Sequence, residues 1–313
     1  MPSGFYALNE ERACLILSGE DVRNFLQGMI SNDIERLSAR AALYAGFLTA
    51  QGRFLHDIFI AELADGRIAV DGEAERLDDL KRRLTMYKLR AKVAIADGRD
   101  SLAVVVLWGD DVFMPFELPA EPGAAKPIED GVVFVDPRLG ALGCRAMMPR
   151  SRVAAILEAA GYSQGPFDEY CRLRLSLGVP EGSKDMPVEK ALVLESGFEE
   201  LNGVDFKKGC YIGQELTARM KYRALVKKRL FPVEMDGPAP AAGTPVTFGG
   251  EEVGELRNVK NGVGLALLKL DAVEAALAQN KPLNAAGVAL RPHRPAWFAT
   301  AAGPHSTPRD TDR

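Results

Sequence analysis

At 313 residues the chain is longer than one ordinary hydrophobic core supports, and two or three domains are expected. Hydrophobic residues make up 47% and charged residues 26%, the balance of a soluble globular protein. Thirty-nine basic against 43 acidic side chains leave a net charge of −4. That charge gives no general drive toward nucleic acid, and no apolar run approaches the length of a membrane span. Residues 1–10 carry neither a basic region followed by an apolar stretch nor an Arg-rich presequence, so cytosolic residence is the default expectation. Cys14, Cys144, Cys171 and Cys210 are scattered, with no Cys-x-x-Cys pair. Neither a disulfide framework nor a metal site is expected from them. Nothing suggests a coiled coil, and a monomer is expected.

In chain order, Arg12 to Leu17 reads as a strand, and Ser18-Gly19-Glu20 is expected to cap a short helix from Asp21 to Gly28, with Val22, Phe25 and Leu26 on one face. Leu43 to Thr49 reads as extended. Phe54 to Leu63 is apolar and β-rich, and Ala64-Asp65-Gly66 turns it back into Arg67 to Val70. From Glu73 to Tyr87 the spacing of Leu77, Leu80, Leu84 and Tyr87 predicts a helix, and Lys92 to Ala96 closes the set. Apart from the Leu43 piece, the order is β-α-β-β-α-β, the split motif of ferredoxin-like domains.

Ser101 to Leu107 reads as a buried strand and Pro115 to Pro127 as a surface connection. Val132 to Val135 and Gly143 to Met147 look extended; Arg152 to Ala160 and Glu169 to Leu177 look helical. After Arg223 short β-rich pieces (Arg229 to Glu234, Pro245 to Phe248, Glu252 to Leu256, Val263 to Leu267, Val288 to Arg291) alternate with Gly and Pro turns and one helix near Asp271 to Ala278. That texture predicts a small β-barrel or sandwich. The boundaries expected are 1–114, 115–225 and 226–298, with a disordered tail over 299–313.

The stretch most able to carry chemistry is Lys207-Lys208-Gly209-Cys210-Tyr211-Ile212-Gly213-Gln214-Glu215. Two lysines and the positive end of a following helix favour thiolate over thiol, which makes a cysteine nucleophilic or metal-seeking. The plain alternative is a small buried residue in a tight turn. A second candidate is the Gly-, Pro- and acid-rich loop ending in Glu189, a plausible cavity rim. Its carboxylate can accept two parallel hydrogen bonds from an amino-pyrimidine edge, or it can be an exposed helix-start carboxylate. In Gln51-Gly52-Arg53-Phe54-Leu55-His56-Asp57, period-two alternation places Phe54 and His56 on one face and Arg53, Leu55 and Asp57 on the other. An Asp57–Arg53 pair would fit that face, and no catalytic triad is read there. Arg219, Lys221, Arg223, Lys227, Lys228 and Arg229 form a basic cluster suited to a polyanion or to plain solvation.

Taken together, these residues resemble the YgfZ family of folate-binding iron–sulfur assembly factors, related to the glycine cleavage T-protein. The specific part is Lys208 to Glu215. Supporting matches are Gly19-Glu20-Asp21, Phe25-Leu26-Gln27-Gly28, Asn32-Asp33, Gln51-Gly52-Arg53 with Asp57, Pro187-Val188-Glu189, Ala218-Arg219 and Tyr222-Arg223. The resemblance implies an α+β fold in which a ferredoxin-like first part and a second α+β part surround a central cavity for tetrahydrofolate, followed by a β-barrel. It implies a role in assembling or repairing [4Fe–4S] clusters of client enzymes, with Cys210 and Lys208 at the working centre. Glu189, Asp57, Arg53, Arg223, Tyr211 and Gln214 are the folate contacts it implies. The T-proteins carry an Asp-Asp pair where this chain has His56-Asp57, and they lack the cysteine motif. Both differences favour the assembly-factor branch over the alternative, a folate-dependent aminomethyl- or methyltransferase.

Overall fold

The structure, a computed structural model, describes residues 4–129 and 131–301. Its first sheet runs, in spatial order, Leu43–Leu48, Phe54–Glu62, Ile68–Glu73, Arg12–Ser18 and Ala94–Asp97, with every neighbouring pair antiparallel. The last four are the strands of the split β-α-β-β-α-β motif, and Leu43–Leu48 extends the sheet at one edge. The two motif helices, Val22–Met29 and Leu77–Tyr87, cover one face. There Val22, Phe25, Leu26, Leu77, Leu80 and Leu84 pack on Leu15, Leu17, Ile58, Ile60 and Val70.

Two local expectations fail for identifiable reasons. The expected Ser18-Gly19-Glu20 cap does not form: the helix begins at Val22, Asp21 takes the capping position without a side-chain bond to its amides, and the Asp21 carboxylate instead accepts the Lys92 N–H at 2.7 Å, just ahead of the strand Ala94–Asp97. The alternation through Phe54 to Asp57 is broken by a β-bulge. Phe47 pairs with His56 but Leu48 pairs with Phe54, which leaves Leu55 as the extra residue. Leu55 and His56 therefore both face the helices, and His56 reaches Asp79 at 3.1 Å. Phe54, Asp57 and Phe59 face the other way. The bulge also separates Arg53 from Asp57: Arg53 donates to the Lys190 carbonyl at 2.9 Å, and Asp57 pairs with Arg12.

The second sheet has the order Tyr162–Gln164, Gly4–Leu8, Ala103–Trp108, Cys144–Met148, Gly131–Val135 and Ala125–Ile128. It draws strands from both sides of position 114. Val105, Leu107, Val133, Val135 and Ala146 pack under the helix Val153–Ala159, while Val104, Val132, Phe134 and Met147 turn toward the first sheet. The two sheets thus share one core, joined by Tyr44, Phe54, Phe59 and Phe198.

The C-terminal part closes into a barrel with the order Lys228–Asp236, Val263–Lys269, Glu251–Lys260, Pro245–Phe248, Leu283–Ala285 and Val288–Pro292. Leu283–Ala285 is too short to announce itself in the sequence. Alternation along the barrel strands sends Phe231, Val233, Ala266 and Leu268 into the barrel core. Leu230 and Leu265 go out into the core shared by the sheets, so the barrel is bolted to the rest of the molecule. Residues 299–301 complete a 3-10 turn, Ala296–Ala301; the expected disorder of 302–313 lies outside the described residues.

Candidate functional site

Cys210 lies on a loop between Asp205 and Gly213 and is exposed to solvent. The loop around it forms a seam with the end of the first helix. Asp205 N–H donates to the Ser31 carbonyl at 3.0 Å and Ile212 N–H to the Gly28 carbonyl at 3.1 Å. Ser31 Oγ donates to the Gly203 carbonyl and Asn32 Nδ2 to the Asn202 carbonyl at 2.7 Å. At the centre of the seam Lys208 is buried, and its Nζ donates to the carbonyls of Gln27, Ile30 and Asn32 at 2.8, 2.7 and 2.7 Å. Three tetrahedral N–H donors meet three carbonyls, at the helix end where partial negative charge collects. Burial lowers the Lys208 ammonium to about 8, against the pull of Asp33 and Asp205. Tyr211 packs beneath it, with its ring centroid 5.1 Å from Nζ, and burial raises its phenol to about 12.

Two glycines allow the loop to come this close. Gly213 has φ +85, and a Cβ there would stand 2.5 Å from the Thr49 carbonyl oxygen; Gly52 has φ +75, and its Cβ would stand 2.8 Å from the Gly213 oxygen. The turn at 49–53 therefore touches the cysteine loop on one side and, through Arg53, holds Lys190 on the other. After Gly213 the helix Gln214–Tyr222 begins, with Gln214 half-buried and Arg223 exposed just past its end.

Between the sheets lies a buried layer of three guanidiniums and four carboxylates. Arg12 meets Asp71 at 2.6 Å and Asp57 at 2.9 Å; Arg145 meets Asp71 and Glu181, each at 3.1 Å; Arg138 meets Asp136 at 2.7 Å and Glu181 at 2.9 Å. The three guanidinium carbons stand 3.8, 4.7 and 5.1 Å from the Phe59 ring centroid (Arg145, Arg138 and Arg12). Burial pushes the Glu181 carboxyl up, but Arg145, Arg138, Arg12 and Arg174 together hold it well below its usual range. Asp57 belongs to this layer: its second oxygen accepts the Gly182 N–H at 3.2 Å.

Glu181 leads to the short helix Gly182–Asp185 and then to a cavity of about 260 Å³ between residues 185–196 and the barrel. Asp185, Pro187, Lys190, Leu192, Glu195 and Arg257 are among its lining residues. Burial raises the Glu195 carboxyl despite Lys228, Arg53 and Arg257. Glu189 stands next to this cavity at φ +59, with its N–H on the Phe54 carbonyl at 2.8 Å. Its side chain is 63% exposed and turned toward Arg83, 3.7 Å away.

The residues singled out by sequence thus fall into three places. Lys208, Cys210, Tyr211 and Gln214 share the loop and its helix, Arg53 and Glu189 flank the cavity, and Asp57 is in the buried layer. Asp185, Arg257, Arg12, Arg138, Arg145 and Glu181 carry no motif that spacing reveals. Among the described residues no group of three or more His, Cys, Asp or Glu side chains converges as a metal site, and no helix is long and apolar enough to cross a membrane.

Comparison with known proteins gives the family and the fold. Residues 227–300 match the CAF17 C-terminal β-barrel domain. The mouse mitochondrial iron–sulfur cluster assembly factor IBA57 is 33% identical, the match covering 93% of this chain and 84% of that protein; the human protein gives the same three figures. The glycine cleavage system aminomethyltransferase T of Bartonella henselae has the same fold, with a TM-score of 0.73, over 94% of this chain and 86% of that one, at 14% identity. On this footing the chain belongs to the IBA57/CAF17 (YgfZ) family of iron–sulfur cluster assembly factors, built on the glycine cleavage T-protein fold with a C-terminal six-stranded barrel.

Proposed function

We propose that the chain assists assembly or repair of [4Fe–4S] clusters in client enzymes, with Cys210 as the working thiol. The observation that carries this is an exposed sulfur on a loop whose flanks are pinned by Lys208, Asp205 and Ile212. A core cysteine needs no such mounting; a thiol that must meet another protein's cluster does. Lys208 acts by fixing the loop, and Tyr211 supports it from below. Gln214 and Arg223 begin and follow the helix behind the thiol.

The ligand proposed for the cavity is tetrahydrofolate, a carrier of one-carbon units. A cavity of about 260 Å³ is close to the lower end of small-molecule sites, about 300 Å³. Arg53 and Glu189 flank it, and Arg53 fixes Lys190 on its lining. The transferase reading would need Asp57 as a free acid or base, whereas that carboxylate is shared between Arg12 and the Gly182 N–H. The proposal keeps cytosolic residence, a monomer, and client enzymes or assembly machinery as partners, with no role for membrane or nucleic acid.

The test is Cys210→Ala in cells that depend on this chain. [4Fe–4S] client activity should fall severalfold while the melting temperature and folate affinity stay within error. Unchanged client activity would remove Cys210 from the mechanism.

A further inference from the structure

The helix Leu77–Tyr87 ends in a tip that keeps apolar side chains in water. Leu84 is buried, but Met86, Tyr87 and Leu89 are 61%, 45% and 85% exposed. Leu89 also stands at φ +44, at the first central position of a turn closed by the Ala91 N–H on the Lys88 carbonyl at 2.7 Å. Positive φ there suits glycine or asparagine, and a bulky residue adopts it only against strain. The backbone is therefore strained around a leucine that gains nothing from burial. A partner that covers the tip accounts for both features.

Charge gives the chemistry of that partner. Residues 81–92 hold six basic and no acidic side chains, in a chain of net charge −4. Arg82 and Arg83 pair with Asp79, Lys92 with Glu20, and Lys88 donates to the Val93 carbonyl. Arg90 is exposed and has no side-chain partner among the described residues. The tip is also tied to the thiol loop. Tyr87 meets Phe47 edge-on with ring centroids 6.5 Å apart, Phe47 bridges to Ile30, and the Ile30 carbonyl accepts from Lys208. Lys207, exposed on that loop, is a second cation whose side chain has no partner among the described residues. A bilayer fits less well, because Leu77, Leu80 and Leu84 already pack on the sheet and leave the helix no apolar side to lie in lipid.

We infer that Met86, Tyr87 and Leu89 dock into an apolar pocket of a partner protein, with Arg90 and Lys207 meeting carboxylates on its rim. Met, Tyr and Arg are among the types enriched at protein interfaces. That this partner carries the cluster which Cys210 meets rests on the reading of Cys210 as the working thiol.

Leu89→Gly removes the side chain and suits the φ, so the melting temperature should hold or rise while [4Fe–4S] client activity in cells falls at least about threefold. Arg90→Glu should hold the melting temperature and cut client activity as much, and Arg90→Gln should cut it less. A lower melting temperature for Leu89→Gly makes the leucine structural, and unchanged client activity in both variants removes the docking tip. Photo-cross-linking in cells, with p-benzoylphenylalanine in place of Leu89 and separately of Lys207, tests the partner. One protein trapped from both positions, through a peptide with more Asp and Glu than Lys and Arg, supports the site. A basic peptide, different proteins, a second copy of this chain or no adduct overturns it. Flotation with phosphatidylserine vesicles that Leu89→Gly abolishes would overturn it in favour of lipid. Client activity lost in Cys210→Ala but kept in both tip variants sinks the docking site and leaves the thiol reading. The reverse pattern keeps the docking site and sinks the thiol.

Discussion

Lys208 and Cys210 are two positions apart and face different surroundings, the ammonium turned into three carbonyls and the thiol exposed to solvent. Replacing Lys208 with Met leaves those carbonyls without a donor, and each buried loss of this kind costs about 1–3 kcal/mol. Lys208→Met should therefore lower stability by at least about 2 kcal/mol in denaturant titration and speed alkylation of Cys210. Lys208→Arg should not rescue it, because a planar guanidinium cannot aim three donors at a tripod of oxygens. His56 gives a separate expectation. Burial first, then Arg76, lowers it to about 4 from 6.5 in spite of Asp79. Between pH 6.5 and pH 4 the unfolded chain binds the extra proton, so stability is full above that window and falls on acidification through it, by about 3 kcal/mol. A urea titration series should show that slope, and His56→Gln should flatten it. Both residues were visible in the sequence, but their surroundings were not. A lysine beside a cysteine suggests activation, and nothing in the spacing shows that its charge is spent on carbonyls some 180 positions upstream.

The seam between the first helix and the cysteine loop depends on glycines that differ sharply in tolerance. Gly213 and Gly52 meet backbone where a Cβ would go, whereas a Cβ on Gly209 would meet nothing within 4 Å. Gly213→Ala should accordingly destabilise by about 1–3 kcal/mol, the scale of strain at such a position, and Gly209→Ala by less than about 0.5 kcal/mol. Comparative melting of the two variants checks both. Elements with a clean period were legible: Leu77, Leu80 and Leu84 fix their helix, and the barrel strands alternate as expected. The bulge at Leu55 was not legible, since one inserted residue among apolar neighbours leaves the pattern looking intact while it re-aims His56 and Asp57.

Across the whole molecule the two sheets are joined by aromatic packing and by the charged layer around Phe59. Arg145 touches carboxylates from the first sheet and from the segment leading to the cavity. Arg145→Met should cost about 3–5 kcal/mol, because it leaves Asp71 with Arg12 and Glu181 with Arg138 as sole ion-pair partners within the layer and buries an uncompensated negative charge. Chemical denaturation measures that loss, and a cost under 1 kcal/mol would mean the layer is hydrated. Charged residues in a sequence read as surface, so neither this layer nor the pairing of Gly4–Leu8 with Ala103–Trp108 could be foreseen.

The carbonyls that hold Lys208 belong to residues 27, 30 and 32, which leave the ribosome long before residue 208 does. Until more than two hundred residues have been synthesised, those carbonyls have no lysine to meet. The sulfur takes its outward pose only once the two distant stretches have met, so a truncated or half-folded chain would carry Cys210 without its mounting. Presentation of the thiol is in this sense a late event in the life of the polypeptide, and it depends on the first helix and the cysteine loop having come together.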